Sequence, residues 1–305
     1  MGKLENVFSW SVSRDRLFRR CLKAYYYNYY GSWDGWDKSA PWKTQKIYML
    51  KKMTSLKMWA GSIVHEVIAE ALNRYAQTGK TPTAGELQGY ARTKLRRGWI
   101  ESVNKEWQQN AKKINLFELY YGNGKSLLPE TTDEIRERVY NALTAFAQSA
   151  ILKQMLLAPY TAWKPIDQLS FFMLNELKIW AAIDFSYIDD SGTLQIIDWK
   201  TGRENTEELK VQLACYALYS MEKWGVQLSK IKLHGVYLNN NASLKTFSFS
   251  DSDIIGAKEK ILSSSAEMCT LLDNVEGNMA SEENFPCCEN DRLCKYCNFK
   301  ELCGR

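Results

Sequence analysis

The chain has 305 residues, 45% of them hydrophobic and 25% charged, a globular balance that excludes wholesale disorder. No stretch approaches ~18 uninterrupted apolar residues, which excludes a spanning helix. The first fifteen residues carry Glu5 and Asp15 and no apolar run, so a secretory signal is not expected and the default location is cytoplasmic.

Net charge is +5, but unevenly spread: residues 1–60 hold twelve Lys and Arg against four Asp and Glu, whereas residues 251–291 hold two against ten. The basic stretch also contains Tyr25, Tyr26, Tyr27, Tyr29, Tyr30, Trp33, Trp36 and Trp42. Cations interleaved with flat rings suit a polyanion with stackable bases. The commoner meaning of such a stretch is a solvated helix face beside an aromatic core.

In chain order, Ser13 is placed to cap a helix over residues 14–30, stopped by Gly31, with Cys21 in its middle. A loop rich in Gly, Trp, Asp and Lys follows. Residues 62–77 form a second helix, with Val64, Ile68, Leu72 and Tyr75 near helical spacing and Gly79 past its end. Residues 84–155 read as helical in two or three pieces, the last opened by a capping box of Thr131 and Glu134. Nothing catalytic stands out there, so 80–165 is expected to be a helical subdomain or insertion. It separates an N-terminal segment, 1–79, from a core over 166–275.

The pattern changes after Pro165. Residues 168–174 and 177–188 are apolar and β-rich, Asp189-Asp190-Ser191-Gly192 is a turn, and Thr193–Trp199 is a further strand, together an antiparallel meander. A helix over 206–224, strands over 230–238 and 244–249, and a helix from Ser252 complete an α/β pattern. The segment 276–305 is cysteine-rich and irregular.

Asp184 closes Ala181-Ala182-Ile183-Asp184, and Asp198 lies in Ile196-Ile197-Asp198-Trp199-Lys200 at the end of the next strand. A short turn joins the two, so both carboxylates can approach each other. Side chains alternate with period two, which puts Asp198 and Lys200 on one side. Two carboxylates and a lysine are what metal-assisted phosphodiester hydrolysis needs: the acids hold a hard divalent cation, and the lysine positions water or stabilises phosphate charge. Alone, Asp-x-Lys more often means a surface ion pair. Four neighbours strengthen it: His65 on an otherwise apolar helix, Gln212-x-x-x-Tyr216 on one helical face, Cys294-x2-Cys297-x5-Cys303, and Cys21. Singly, a core histidine or an ordinary amphipathic helix would explain the first two.

The order His65, Asp184, Asp198-Trp199-Lys200, Gln212-x-x-x-Tyr216 resembles the PD-(D/E)XK nucleases of the RecB type. With Phe18-x-x-Cys21 and the C-terminal cysteines it is similar to their iron–sulfur branch, which includes the AddB nuclease domain and Cas4-like CRISPR adaptation nucleases. The likeness covers roughly residues 8–75 and 165–305. It implies a restriction-endonuclease-like core, a central mixed sheet flanked by helices, with a clasp joining the termini. It further implies that His65, Asp184, Asp198 and the Trp199 carbonyl bind Mg²⁺ or Mn²⁺. Lys200 would be the catalytic lysine, with Gln212 and Tyr216 orienting the lysine, the water or the DNA backbone.

Eight cysteines are too few for a disulfide scaffold, and grouped cysteines without an export signal more often bind metal. The resemblance implies one [4Fe–4S] cluster held by Cys21, Cys294, Cys297 and Cys303. The rival is a zinc knuckle in which Cys287 and Cys288 join Cys294 and Cys297; adjacent cysteines chelate poorly, which favours the cluster. Cys215 and Cys269 are expected to be core thiols.

Three functions follow in order. The first is a Mg²⁺- or Mn²⁺-dependent deoxyribonuclease acting on single-stranded or frayed DNA. The second is a non-catalytic DNA-binding adaptor of a helicase, CRISPR or defence complex; the chain has no Walker A motif of its own. The third is an RNA-directed or structure-specific nuclease. Polarity, endo- versus exonuclease action and pathway are not encoded in these motifs.

Overall fold

A computed structural model describes residues 4–122 and 129–305. Residues 123–128, within the span expected to be helical, lie outside the described residues. Among the described residues no helix is long and apolar enough to cross a membrane.

The first helix differs from expectation. α1 (Val12–Arg20) is capped by Ser11, whose hydroxyl accepts from the Arg14 N–H at 3.1 Å. It breaks at Cys21, which is extended (φ −166°, ψ 117°), and α2 (Leu22–Tyr26) then runs into a π-helical turn over Tyr27–Gly31. The chain kinks at Cys21, although its N–H still donates to the Leu17 carbonyl and its carbonyl accepts from the Tyr25 N–H, each at 3.0 Å. α3 (Trp42–Lys51) fills part of the expected loop. α4 (Leu56–Thr78) starts six residues before the expected helix, capped by Ser55, and ends at Gly79 with φ +68°, as glycine permits.

α5 (Ala84–Val103) carries a true capping box of Thr83 and Glu86. α6 (Phe117–Tyr121), α7 (Pro129–Gln148) and α8 (Ala150–Leu157) follow. Thr131 lies inside α7, so the capping box expected at Thr131 and Glu134 is not the start of that helix.

β1 (Gln168–Leu174) and β2 (Leu177–Ile183) form an antiparallel hairpin that stands as its own two-stranded sheet. The chain bends at Asp184, so the single strand expected over 177–188 is two. β3 (Phe185–Ile188) instead joins β4 (Leu194–Lys200), β5 (Ile231–Tyr237) and β6 (Ser243–Phe247) in a four-stranded sheet of order β3-β4-β5-β6. β4 and β5 are parallel, joined by the crossover helix α9 (Thr206–Trp224). The sheet is mixed, as the resemblance implies: the strands expected as a meander do pair antiparallel, β1 with β2 and β3 with β4, though in two sheets, and a connection holding a 19-residue helix brings β5 back parallel to β4. α10 (Asp251–Cys269), capped by Ser250, and α11 (Asp291–Cys294) close the chain.

The sheet buries both faces. Ile197, Trp199, Val236 and Leu238 pack with α4, α5, α7 and α8, while Leu194, Ile196, Leu233 and Tyr237 pack with α9, α10 and the N-terminal helices. Gly235 on β5 permits the close approach of α9: a Cβ there would fall 2.4 Å from the Leu209 side chain. A third cluster joins Ala24, Tyr27, Ile47, Leu50, Phe117 and Phe299, bringing the two ends of the chain together.

Candidate active site

The alternation of β4 decides the site. Leu194 and Ile196 face α9, so Asp198 and Lys200, two and four residues further, also face α9. Lys200 Nζ lies 2.6 Å from Asp198 Oδ2. From α9, Gln212 reaches the same spot: its Oε1 accepts from Lys200 Nζ at 2.9 Å, and its Nε2 donates to Asp198 Oδ1 at 2.9 Å and to Tyr216 Oη at 2.7 Å. Both amide protons are thus used, and Tyr216, accepting from Gln212, gives its single proton to the Ala182 carbonyl at 2.6 Å. Tyr216 also lies 3.3 Å from Asp198 Oδ1.

The second carboxylate comes from the bend between the two sheets. Asp184 Oδ2 accepts from the Trp199 N–H at 2.8 Å, which locks it beside the end of β4, and Asp184 Oδ1 meets His65 Nδ1 at 3.1 Å. Trp199 offers the site only its backbone, since its indole is buried edge-on against Phe146. His65 reaches Asp184 from α4. On the same helix Gly61 lets the backbone approach Thr201, where a Cβ would stand 3.0 Å from Thr201 Oγ1.

Electrostatics mark this as a strained charge cluster. Asp198, 1% exposed, is pushed up to about 6, first by burial, then by the neighbouring Asp184 charge, with Lys200 opposing. Burial works against charge on His65, yet the Asp184 carboxylate outweighs it and holds the imidazole up at about 9. Tyr216 is held well above its ordinary value by burial and by both carboxylates, so it remains a donor.

Every residue expected at the nuclease centre is therefore drawn together: His65, Asp184, Asp198, the Trp199 backbone, Lys200, Gln212 and Tyr216. Sequence reasoning missed two more. Asp167, in the left-handed region at φ 46°, donates its N–H to the Ile183 and Asp184 carbonyls, and partial burial and then the Asp184 charge raise its carboxyl. Arg138 on α7 donates to the Thr201 carbonyl just beyond Lys200. Asp167 directly precedes the first predicted strand, which was the available signal; nothing local singles out Arg138 on its helix.

A divalent cation is compatible with these donors. Asp198 Oδ2 is buried and, apart from the ion-pair contact with Lys200, no properly angled hydrogen bond reaches it. An orphaned carboxylate oxygen beside a second carboxylate and an imidazole is a donor set for a hard cation. Among the described residues, no three His, Cys, Asp or Glu side chains already converge as a closed metal site.

The cysteines gather at the seam between the chain ends. Cys21, Cys287, Cys288, Cys294, Cys297 and Cys303 line one cavity of about 290 Å³. Cys288 Sγ is 3.8 Å from Cys294 Sγ. Cys21 thus shares a cavity with the C-terminal cysteines, although among the described residues no three of these thiols converge as a metal site. Cys287 and Cys288, expected to stand apart, share the cavity with them. Cys215 is buried in α9 and Cys269 ends α10; neither lines the cavity.

The basic, aromatic N-terminal stretch is largely not a nucleic-acid platform. Tyr25, Tyr27 and Tyr30 are 0%, 2% and 8% exposed, and the buried Arg14 guanidinium donates to Tyr25 Oη and Tyr30 Oη, each at 3.0 Å. Its cations meet the acidic C-terminal stretch: Arg19 pairs with Glu267, while Lys23 and Lys43 pair with Glu282. Part of each charge excess is paired in this way. Trp36 and Trp42 remain exposed.

The sequence model of the PD-(D/E)XK nuclease superfamily matches residues 9–304, and the chain belongs to that superfamily. Among solved structures it is similar to one titled "Crystal structure of SSO0001", with 16% identity over 68% of this chain and 80% of that one, at a TM-score of 0.28. No curated protein matches the chain significantly.

Proposed function

We propose that the protein is a Mg²⁺- or Mn²⁺-dependent deoxyribonuclease of the RecB-type iron–sulfur branch, acting on single-stranded or frayed DNA. The observation that carries the reading is the buried Asp198, with one oxygen held by Gln212 and the other left to Lys200 beside Asp184. Burying two carboxylates together is costly unless a cation shares them.

His65, Asp184, Asp198 and the Trp199 carbonyl would hold the divalent ion. Once bound, that ion supplies charge that activates water and offsets the growing negative charge on phosphate. Lys200, held by Gln212, presents its ammonium towards that charge. Gln212 keeps the lysine and Asp198 in register, and Tyr216 ties Gln212 to the β2 backbone. Asp184 orients His65 while its other oxygen is fixed by the Trp199 N–H. Cys21, Cys294, Cys297 and Cys303 would hold a [4Fe–4S] cluster, whose role is to pin the chain ends together.

The test is cleavage of end-labelled single- and double-stranded DNA by anaerobically purified protein. Cleavage should require Mg²⁺ or Mn²⁺ and vanish in Asp198→Ala and Lys200→Ala, with metal binding by calorimetry retained in Lys200→Ala. Cleavage by Asp198→Ala at the wild-type rate under excess chelator would overturn the reading.

A further inference from the structure

A pocket of about 430 Å³ opens where α4, α5 and α7 meet. Its floor is apolar, built from Leu56, Trp59 and Ile135, all under 9% exposed. Trp99 and Tyr140 stand half-buried in its walls, and Arg92, Arg96 and Arg136 line it as well.

The sequence arranges this face on purpose-built spacings. On α5, Arg92, Leu95, Arg96 and Trp99 recur at three and four residues and so share one side of the helix. The charges are not neutralised within the fold. Arg136 pairs with Asp133, but among the described residues Arg92 and Arg96 have no acidic partner, whereas their neighbours Lys94 and Arg97 do. Two free guanidinium groups beside an aromatic, water-excluding floor form a binding surface for an anion carrying a flat ring.

Position connects the pocket to the catalytic strand. On α7, Arg136 lines the pocket, and two residues on Arg138 donates to the Thr201 carbonyl. On α4, Trp59 forms the floor, and two residues on Gly61 packs against Thr201. Residues two apart lie on opposite sides of a helix, so α4 and α7 stand between the pocket and Thr201, which follows Lys200, and the pocket is about one helix diameter, ~10 Å, from the end of β4.

We infer that this pocket receives an unpaired base of the DNA strand leading to the carboxylates, stacked on Trp99 over the apolar floor, with Arg92 and Arg96 gripping the adjoining phosphates. Stacking on an aromatic ring needs an exposed base face, which duplex DNA lacks. The pocket therefore supplies the preference for single strands that the buried N-terminal tyrosines cannot. The inference rests on the nuclease reading above.

The experiment measures binding of fluorescein-labelled oligo(dT), and of a blunt duplex, without divalent cation. Trp99→Ala and the double variant Arg92→Gln/Arg96→Gln should each weaken oligo(dT) binding about tenfold, since one stacked base or two phosphate contacts are lost. The double variant should also lower the slope of log affinity against log salt by about 1.4. Trp99→Phe should recover most of the affinity, which separates stacking from damage to the fold. Duplex affinity should change less than about threefold in all variants. Oligonucleotides carrying a single 5-iododeoxyuridine should photo-crosslink to Trp99 or Tyr140 from one position.

Unchanged oligo(dT) affinity in Trp99→Ala, with crosslinks elsewhere, would overturn the pocket while leaving the nuclease reading intact. Equal losses for duplex and single strand would overturn it too, as would losses confined to oligo(rU). Wild-type protein that neither binds nor cleaves either DNA form would instead overturn the nuclease reading itself.

Discussion

Gln212 is the hinge of the candidate centre, and Gln212→Ala is the sharpest test of how that centre works. The change removes three hydrogen bonds of 2.7–2.9 Å, two of them to charged partners. Bonds to charged groups contribute ~1.5–3 kcal/mol each. Gln212 is only partly buried, so water replaces part of what is lost. A loss of about 2–4 kcal/mol in the chemical step corresponds to a roughly 30- to 1000-fold fall in kcat.

Substrate affinity should change little, because Gln212 faces Lys200 and Asp198 rather than the strand. Gln212→Glu is the informative companion. It keeps an acceptor for Lys200 but sets a carboxylate where an amide N–H faced Asp198. Activity at neutral pH should fall at least as far as in the Ala variant and partly return as pH is lowered and the new carboxyl protonates. Single-turnover cleavage of end-labelled single-stranded DNA, measured across substrate concentration and pH, separates these effects. If Gln212→Ala cuts within threefold of the wild-type rate, the network is scaffolding and the positioning argument fails.

Two further predictions concern the cysteine cavity and the sheet. Protein purified anaerobically should be brown with about four irons per chain, and Ala at Cys21, Cys294, Cys297 or Cys303 should remove colour and lower the melting temperature. Ala at Cys215, Cys269, Cys287 or Cys288 should keep the colour; zinc in place of iron, lost with Cys287 or Cys288 but not with Cys21, would mean a local knuckle. His234 is 7% exposed and is held down at about 4 by burial and by Lys232. Its Nε2 faces Gln195 Oε1 at 2.7 Å and its Nδ1 faces Thr246 at 3.0 Å, a neutral tautomer's arrangement. The unfolded chain binds the proton more tightly, so stability should hold above pH 6.5 and fall as pH drops towards 4, by about 2 kcal/mol at pH 5. Urea unfolding at pH 7.5 and 5.0 should show a smaller difference between the two in His234→Gln; an undiminished difference would assign the effect elsewhere.

What the sequence made legible was local and periodic. The shared face of Asp198 and Lys200 follows from strand alternation, and that of Gln212 and Tyr216 from helical spacing; both hold to within hydrogen-bond distances. The bend at Asp184 was not legible, because no Gly or Pro marks a break in Leu177–Ile188 and a single Asp in an otherwise largely apolar run does not show where strand partners change. The parallel pairing of β4 with β5 could have been read, since a strand, a long helix and a strand make a crossover unit. Composition misled over Tyr25, Tyr27 and Tyr30: a run of tyrosines among cations reads alike whether it stacks on bases or encloses a buried arginine. The α4–α5–α7 pocket escaped because its residues come from three helices whose facing sides are set only by packing.

The charge asymmetry and the cysteine cavity have a common physical basis in the joining of the chain ends. Trp10 donates to Ser264, Ser264 donates to Asp15, and Tyr30 donates to Asn278, each across about 250 residues of chain. Around these buried contacts the basic N-terminal and acidic C-terminal stretches pair, and the thiol cavity lies at the same seam. Closing such a large loop adds little over a shorter one, since each doubling of length costs ~0.6 kcal/mol. The seam also bears on catalysis. α1 reaches α9 through Arg16 and Glu208 at 3.5 Å, and α9 carries Gln212 and Tyr216 one and two turns further on. Loosening the ends withdraws α1 from the helix that aligns Lys200. Loss of the Cys21 thiol should therefore reduce cleavage although Cys21 lines the seam and not the carboxylate site.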